Sequence, residues 1–494
     1  MKKSFTLVFL LFSFINFAQC PIGDVSFFTQ GDIDSFIIDY PSCTEINGSL
    51  LIDDSANELL NLNGLNNITS IVGNVTIRNL SESMDLNGFN QLNMIGGYLS
   101  ISSCEFNDLS SFENLLELGG GLSIVNNIIL TLSGFDNLTS VTGNVWIYGN
   151  ENITLLNGFN NLISIGGFLT IQNNMQLIET SGFNELVSIG EELKFESNDN
   201  LLNVSGFQQL ASVHNFVGFN NNNELIEVGG FNSLTSITYF NENSGLRFQT
   251  NPNLETISGF NNLIDLETNL YISENISLNN ISGLNNLQST NELSINSTGL
   301  VNFTDLSNLQ TVDNYIVFNY NLSLVNLDGL ENLTSSMNNL SILNNLILNN
   351  IDGLANIGSI SQYLFIQDND LLSDCSIDSI CSHLENDGNY VIHRNNNGCN
   401  SGNEILDNCA NLSINDEEFQ SFTVYPNPTK NILNIKAKNP ITSVKVYNLL
   451  GQKIISSEPK TLAEEINMSG LNSGIYLVKV NIRNQLTIYK VMKE

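Results

Sequence analysis

GFNNLISIGGFLTIQNNMQLIETS, residues 158–181, decides the fold, because the same phrase returns about every 24 residues from Leu65 to Leu372. Each unit opens on Gly plus Phe or Leu, as at Gly134-Phe135, Gly158-Phe159, Gly182-Phe183, Gly206-Phe207 and Gly353-Leu354; Ser111-Phe112 and Asp305-Leu306 keep the position without the glycine. Apolar residues hold fixed offsets (Phe159, Leu162, Ile165, Leu169, Ile171, Leu177), and Gly166-Gly167 lies between them. The period-two spacing of Leu169 and Ile171 predicts a short strand, and the glycine pair a tight turn. A unit this small cannot bury its own apolar face, so its stability must come from ladder hydrogen bonds and a core shared with the neighbouring coils. The expected fold is mainly β: a solenoid of about thirteen regular coils over residues 59–372.

One polar residue recurs inside this apolar pattern. Three residues after the second strand position stand Asn127, Asn150, Asn174, Asn198, Asn222, Asn251, Asn275, Asn321, Asn345 and Asn369. A turn with buried backbone groups needs such a side-chain partner, and stacked amides can bond along the column. Leu80, Cys104 and Thr298 interrupt the column, and Cys104 is expected to be a free buried thiol.

The run L-x-x-I-G-G-x-L-x-I-x-x-N-x-x-L resembles the leucine-rich-repeat pattern and, more closely, the receptor L-domain pattern of growth-factor-receptor ectodomains and microbial surface proteins. That resemblance implies a right-handed β-solenoid. The spacing departs from ordinary leucine-rich repeats by one residue after the Asn, nothing predicts a helix in each coil, and strands are expected on most sides.

Residues 1–19 read as a secretory signal peptide: Lys2 and Lys3, an apolar run Phe5 to Phe17, then Ala18-Gln19. The run is too short to stay as a membrane span, so no transmembrane segment is expected in the mature chain. Lipidation at Cys20 is the alternative, but Gln19 stands where such signals want a small residue. A bridge from Cys20 to Cys43 would close the N-terminal cap and degenerate first coil, residues 20–58. Cys375, Cys381, Cys399 and Cys409 crowd the C-terminal cap, residues 373–410, and permit three pairings among which the sequence does not choose. A zinc site with His383 and His393 is the competing reading, opposed by the missing Cys-x-x-Cys pair and an oxidising compartment.

Charge divides the chain. Residues 20–421 hold four cations (Arg78, Lys194, Arg247, Arg394) against 46 carboxylates, a net −42, whereas ten Lys and Arg lie beyond residue 421. Nucleic acid is excluded as a ligand, since phosphate neutralisation needs cations that are missing. The acidity reads first as solubility. Calcium is a minor possibility around Asp368 and Asp370, with no EF-hand spacing to support it; no other cofactor is expected.

After a linker, residues 411–421, alternating strands suggest a small β-sandwich over 422–494. The motifs Val424-Tyr425-Pro426-Asn427-Pro428-Thr429, Val446-Tyr447-Asn448-Leu449-Leu450-Gly451-Gln452 and Leu471-Asn472-Ser473-Gly474-Ile475-Tyr476, with Lys490-Val491-Met492-Lys493 at the end, resemble the type A C-terminal sorting domain of the Bacteroidota type IX secretion system. The resemblance implies export across the outer membrane, removal of the tail by a sortase-like peptidase, and either surface attachment or release.

No catalytic motif is present: no Gly-x-Ser-x-Gly, no His-Glu-x-x-His, no phosphate-binding glycine loop, and three histidines in all, His214 among them in an ordinary coil turn. Function is therefore sought on the outer surface, in the residue between the two strand-core positions: Thr76, Ser100, Ser123, Trp146, Thr170, Lys194, Gly218, Arg247, Tyr271, Ser294, Val317, Ser341 and Phe365. Trp146 and Tyr148, with Phe168, Lys194, Arg247 and Tyr271, are the candidate ligand contacts, and a five-residue insertion within Tyr239 to Leu246 adds a protrusion beside Arg247. The expectation is a non-enzymatic surface protein binding protein or glycan, in adhesion. A polysaccharide-active β-helix enzyme using Lys194 or Arg247, or a passive envelope component, is the alternative.

Overall fold

The computed structural model describes residues 20–494 apart from 82, 83, 107, 239, 240, 242, 243, 413–421, 449, 450, 483 and 484. The signal segment therefore lies outside the described residues, as does most of the linker; the linker's first two residues end a helix, Gly402–Leu412. The chain divides into two compact units between Cys409 and Ala410.

The first unit is a β-solenoid. Its long sheet holds sixteen parallel strands in chain order, from Val25–Phe27 to Asn389–His393, because both caps add rungs to the regular coils. Register is strict: Val145, Trp146, Ile147 and Tyr148 pair with Leu169, Thr170, Ile171 and Gln172. A second sheet of nine two- or three-residue strands runs from Glu45–Ile46 to Ser236–Thr238, and a third of six from Thr131–Leu132 to Thr256–Ile257.

In six coils outside the third sheet that side is a 3-10 turn, at Asn63–Leu65, Asn87–Phe89, Ser110–Phe112, Ser282–Leu284, Thr304–Leu306 and Asp352–Leu354; in the coil of Asn326, which makes the same side-chain bond to the Asp328 N–H, it is an ordinary turn beside a single bridge to Asn350. One residue biases the choice. In all six, an Asn or Asp two positions earlier (Asn61, Asp85, Asp108, Asn280, Asn302, Asn350) accepts a hydrogen bond from the first N–H of the turn. This Asx turn competes with strand pairing. Where Thr131, Leu155, Glu179, Glu227 or Thr256 takes that place, a strand forms; Asn203 joins the sheet between strand-forming neighbours.

The anchor rings stack into a column through the core: Phe89, Phe112, Phe135, Phe159, Phe183, Phe207, Phe231 and Phe260, with centroids 5.0 Å apart at Phe159–Phe183 and 5.8 Å at Phe112–Phe135. Coil spacing near the inter-strand distance places identical rings at stacking range. The same spacing explains the glycine pair, since a Cβ on Gly166 would stand 2.1 Å from the carbonyl oxygen of Thr142 in the preceding coil.

Both ends are closed. Helix α1, Gln30–Asp39, which the sequence reading did not foresee, starts on a Thr29/Asp32 capping box and buries Ile33 and Phe36 against the first coil. Cys20 bridges Cys43 beside it. At the other end Cys375 pairs with Cys399 and Cys381 with Cys409, which selects one of the three possible pairings. Helix α2, Asp378–Glu385, carries Cys381 and the buried His383, whose ring nitrogens lie 2.9 Å from the Ile360 oxygen and 3.0 Å from the Asn389 oxygen.

The second unit is one antiparallel sheet curled into a sandwich. The long strand Ile432–Tyr447 makes both layers: residues 432–436 pair with Thr461–Asn467, and residues 441–447 with Gly474–Ile482, the register breaking around Pro440. Leu433, Ile435, Val444, Val446, Val478 and Val491 fill the space between.

Candidate ligand-binding site

The outward column of the long sheet is continuous in the structure. Each residue from Thr76 to Phe365 pairs with the equivalent residue one coil on, as in Lys194 with Gly218, Gly218 with Arg247 and Arg247 with Tyr271. Small residues cover most of it. Trp146 is 37 % exposed, its ring tilted against Tyr148 at 5.2 Å, while Tyr148 and Phe168 are half-buried.

The middle of the column differs. Gly218 offers no side chain, and the Phe216 ring from two residues earlier lies over it: a Cβ on Gly218 would fall 2.2 Å from the Phe216 ring edge. On the neighbouring strands, the Lys194 ammonium sits 5.5 Å and the Arg247 guanidinium 5.3 Å from that ring, and Arg247 also faces Tyr271 at 5.2 Å. Glu192, Lys194, Glu196, Phe216, Asn220 and Arg247 line a shallow pocket of about 230 Å³ here. The sequence placed Lys194, Arg247 and Tyr271 correctly on one face but missed Phe216, which lies off the column and reaches it only because residue 218 is glycine.

Pairing separates the cations. Arg78 is bound to Asp53, Lys194 to Glu192 and Arg394 to Asp368. Among the described residues Arg247 makes no ion pair, and its Nε is buried without a hydrogen-bond partner. Asp368, considered above for calcium, is thus already neutralised by Arg394, which holds its carboxyl below the usual range. No cluster of three or more His, Cys, Asp or Glu with metal-binding geometry occurs among the described residues.

The insertion beside Arg247 is partly outside the described residues (Tyr239, Phe240, Glu242, Asn243). Its described end is anchored: the Ser244 hydroxyl donates to Asn215 Oδ1 at 2.6 Å and the Gly245 N–H to the Asn215 oxygen at 2.9 Å. His214, exposed next to Asn215, lines a neighbouring pocket with Glu191 and Glu192.

The buried Asn column supports this face from behind. Each Asn donates to a main-chain oxygen of the preceding coil and, except for Asn275, whose next neighbour is Thr298, takes the next coil's Oδ1 with its N–H, as Asn198 does to the Ile171 oxygen and to Asn222. The column runs on to Asn395, a member not singled out from the sequence. Cys104 and Thr298 still donate their N–H groups to Asn127 and Asn321. Burial pushes the Cys104 thiol up to about 12, and it is the free cysteine.

In the second unit the motif residues explain one another. Asn427 donates to the Lys490 oxygen and accepts from the Met492 N–H, tying the first motif to the last strand. Gly451, at φ +78°, closes a turn in which Asn448 and Gln452 bond reciprocally. The buried Tyr476 donates its hydroxyl to the Asn472 oxygen at 2.9 Å. Gly474 starts the strand carrying Tyr476, Tyr425 and Lys490 are exposed, and Pro426 and Pro428 flank Asn427. Leu449 and Leu450 lie outside the described residues.

These two units define the class of protein: a β-solenoid followed by a C-terminal sorting domain. Residues 42–98 match the Receptor L domain family, and residues 423–494 match the Secretion system C-terminal sorting domain. No curated protein matches the chain. The sorting domain marks the chain for export by the type IX secretion machinery to the outside of the cell and its surface, and three disulfides fit that location. No helix among the described residues is long and apolar enough to cross a membrane.

Proposed function

We propose that the solenoid is a non-enzymatic recognition module displayed outside the cell, that it binds an extracellular glycan or protein through the outer face of its long sheet, and that this binding serves adhesion. The observation that carries the reading is the strip Trp146, Lys194, Phe216, Arg247 and Tyr271: aromatic and cationic side chains gathered on one face of a solenoid whose residues 20–409 carry a net charge of −39. Aromatic residues and Arg dominate the energetics of recognition surfaces. The sheet holds them at fixed spacing with little ordering left to do on binding. The sorting tail, a compact unit of its own, would be handled and removed by the sortase-like peptidase of the export system.

Arrays of glycans and extracellular proteins probed with the full chain test this reading. Retention of a ligand that is lost in Trp146→Ala or Gly218→Ala, without release of reducing sugar, is expected. Sugar release that disappears in Lys194→Ala or Arg247→Ala would replace it with the polysaccharide-active enzyme. No retained ligand in any class would leave a passive envelope component.

A further inference from the structure

Resting on that reading, we propose that Arg247 is a carboxylate-gripping residue and that the ligand is a polysaccharide in which single uronate-type sugar acids stand among neutral sugars. The guanidinium is held between the rings of Phe216 and Tyr271 at 5.3 and 5.2 Å, so its plane is fixed without a carboxylate partner. A fixed guanidinium fork matches a carboxylate with two parallel hydrogen bonds. Its buried Nε has no partner, and neither has the buried Oδ1 of Asn220 on the same pocket wall. Buried polar atoms normally find partners, so both mark a place where a ligand completes the set.

The surrounding charges choose the kind of anion. Glu192 and Glu196 balance Lys194 and Arg247 within the pocket. A single negative charge beside Arg247 is accepted there, whereas a phosphate dianion or a densely sulfated chain meets two carboxylates in addition to the field of the whole solenoid.

The backbone decides between a sugar and a peptide. Arg247 lies on Gly245–Gln249, the tenth of sixteen strands, paired on both sides with Phe216–Asn220 and Asn269–Ser273. With no strand edge there, an extended peptide finds no main-chain groups to pair with. A glycan needs only side chains. The C–H face of a sugar ring can pack on Tyr271 while its hydroxyls meet Asn220 and the Lys194–Glu192 pair on the neighbouring strands.

Titration calorimetry of the full chain against an oligosaccharide bearing one uronate (the oligouronate), the same oligomer methyl-esterified, a neutral oligosaccharide and a glutamate-rich peptide tests the proposal. Esterification is expected to weaken binding at least about tenfold, and Arg247→Lys to do the same, since an ammonium keeps the charge but not the fork. Arg247→Ala should abolish it. Unchanged thermal midpoints in Arg247→Lys separate a lost contact from a lost fold. Equal binding of acid and ester, undiminished oligouronate binding by Arg247→Ala, or preference for the peptide would overturn the proposal while leaving surface recognition standing. Failure of every probe in calorimetry, with a ligand still retained on the arrays, overturns the uronate proposal alone; failure in both sinks the wider reading as well.

Discussion

Asn174 Oδ1 accepts two hydrogen bonds from Asn150, 3.1 Å from its N–H and 3.2 Å from its Nδ2, across a separation of 24 residues. Asn174 in turn donates to the Ile147 oxygen and to Asn198. From Asn127 to Asn369 every member is buried, so each amide satisfies groups that water cannot reach. Asn174→Leu strands the Asn150 N–H and the Ile147 oxygen, and at about 1–3 kcal/mol per orphaned group the expected cost is about 2–6 kcal/mol. Asn174→Thr should cost less, because Thr298 already works in this column. Urea unfolding midpoints of the two variants check the order; a Leu variant as stable as the parent would deny the column its role.

Gly218→Ala tests the site without touching a charge. The added methyl meets the Phe216 ring edge at 2.2 Å, so the ring must leave its place between Lys194 and Arg247. Because the displaced group is a side chain on the surface of the sheet, far-ultraviolet circular dichroism should be unchanged while ligand retention falls about tenfold or more, the loss of about 1.4 kcal/mol or more in binding.

The N-terminal coils should weaken in acid. Burial raises the Asp53 carboxyl, but hydrogen bonds from Ser55, Asn79 and Arg78 outweigh it and bring it to about 2 from an ordinary value of 3.8. A depressed folded-state value contributes stability that is full above the unfolded value and is lost as the pH falls through the folded one. Protection factors for hydrogen exchange in Leu50–Asp53 and Val75–Arg78, each corrected for the intrinsic rate at its pH, should fall between about pH 4 and 2, and Asp53→Asn should flatten that dependence.

Cys104 should resist alkylation. With its thiol raised to about 12 in a fully buried site, little thiolate exists near neutral pH. Mass spectrometry after iodoacetamide at pH 8 should find no label in the folded secreted chain, one after unfolding, and seven once the three disulfides are reduced.

Much of the fold was legible because a solenoid repeats its own constraints. The Leu169/Ile171 spacing gave the long sheet, the Asn positions gave the buried column, and Cys20 with Cys43 gave the N-terminal bridge. Helix α1 was missed because it occurs once and has no repeat to reinforce it. The six 3-10 turns all follow Asn or Asp rather than Thr, Leu or Glu before the anchor, although Asn203 and Asn326 show that the residue biases the turn without fixing it. That signal was readable, since Asn and Asp side chains capture a nearby N–H.

Sequence alone determined the coil length, the outward-facing column and the export tail, because each rests on local periodicity or a short motif. Only the tertiary structure decided the pairing of the four cap cysteines and which cation is spare. Those depend on distances between residues that no period relates: Arg78 meets Asp53 and Arg394 meets Asp368, while Arg247 finds two rings and, among the described residues, no ion-pair partner. Phe216 reaches the site only because coil stacking sets its ring over a glycine, and a linear pattern holds no record of that coincidence.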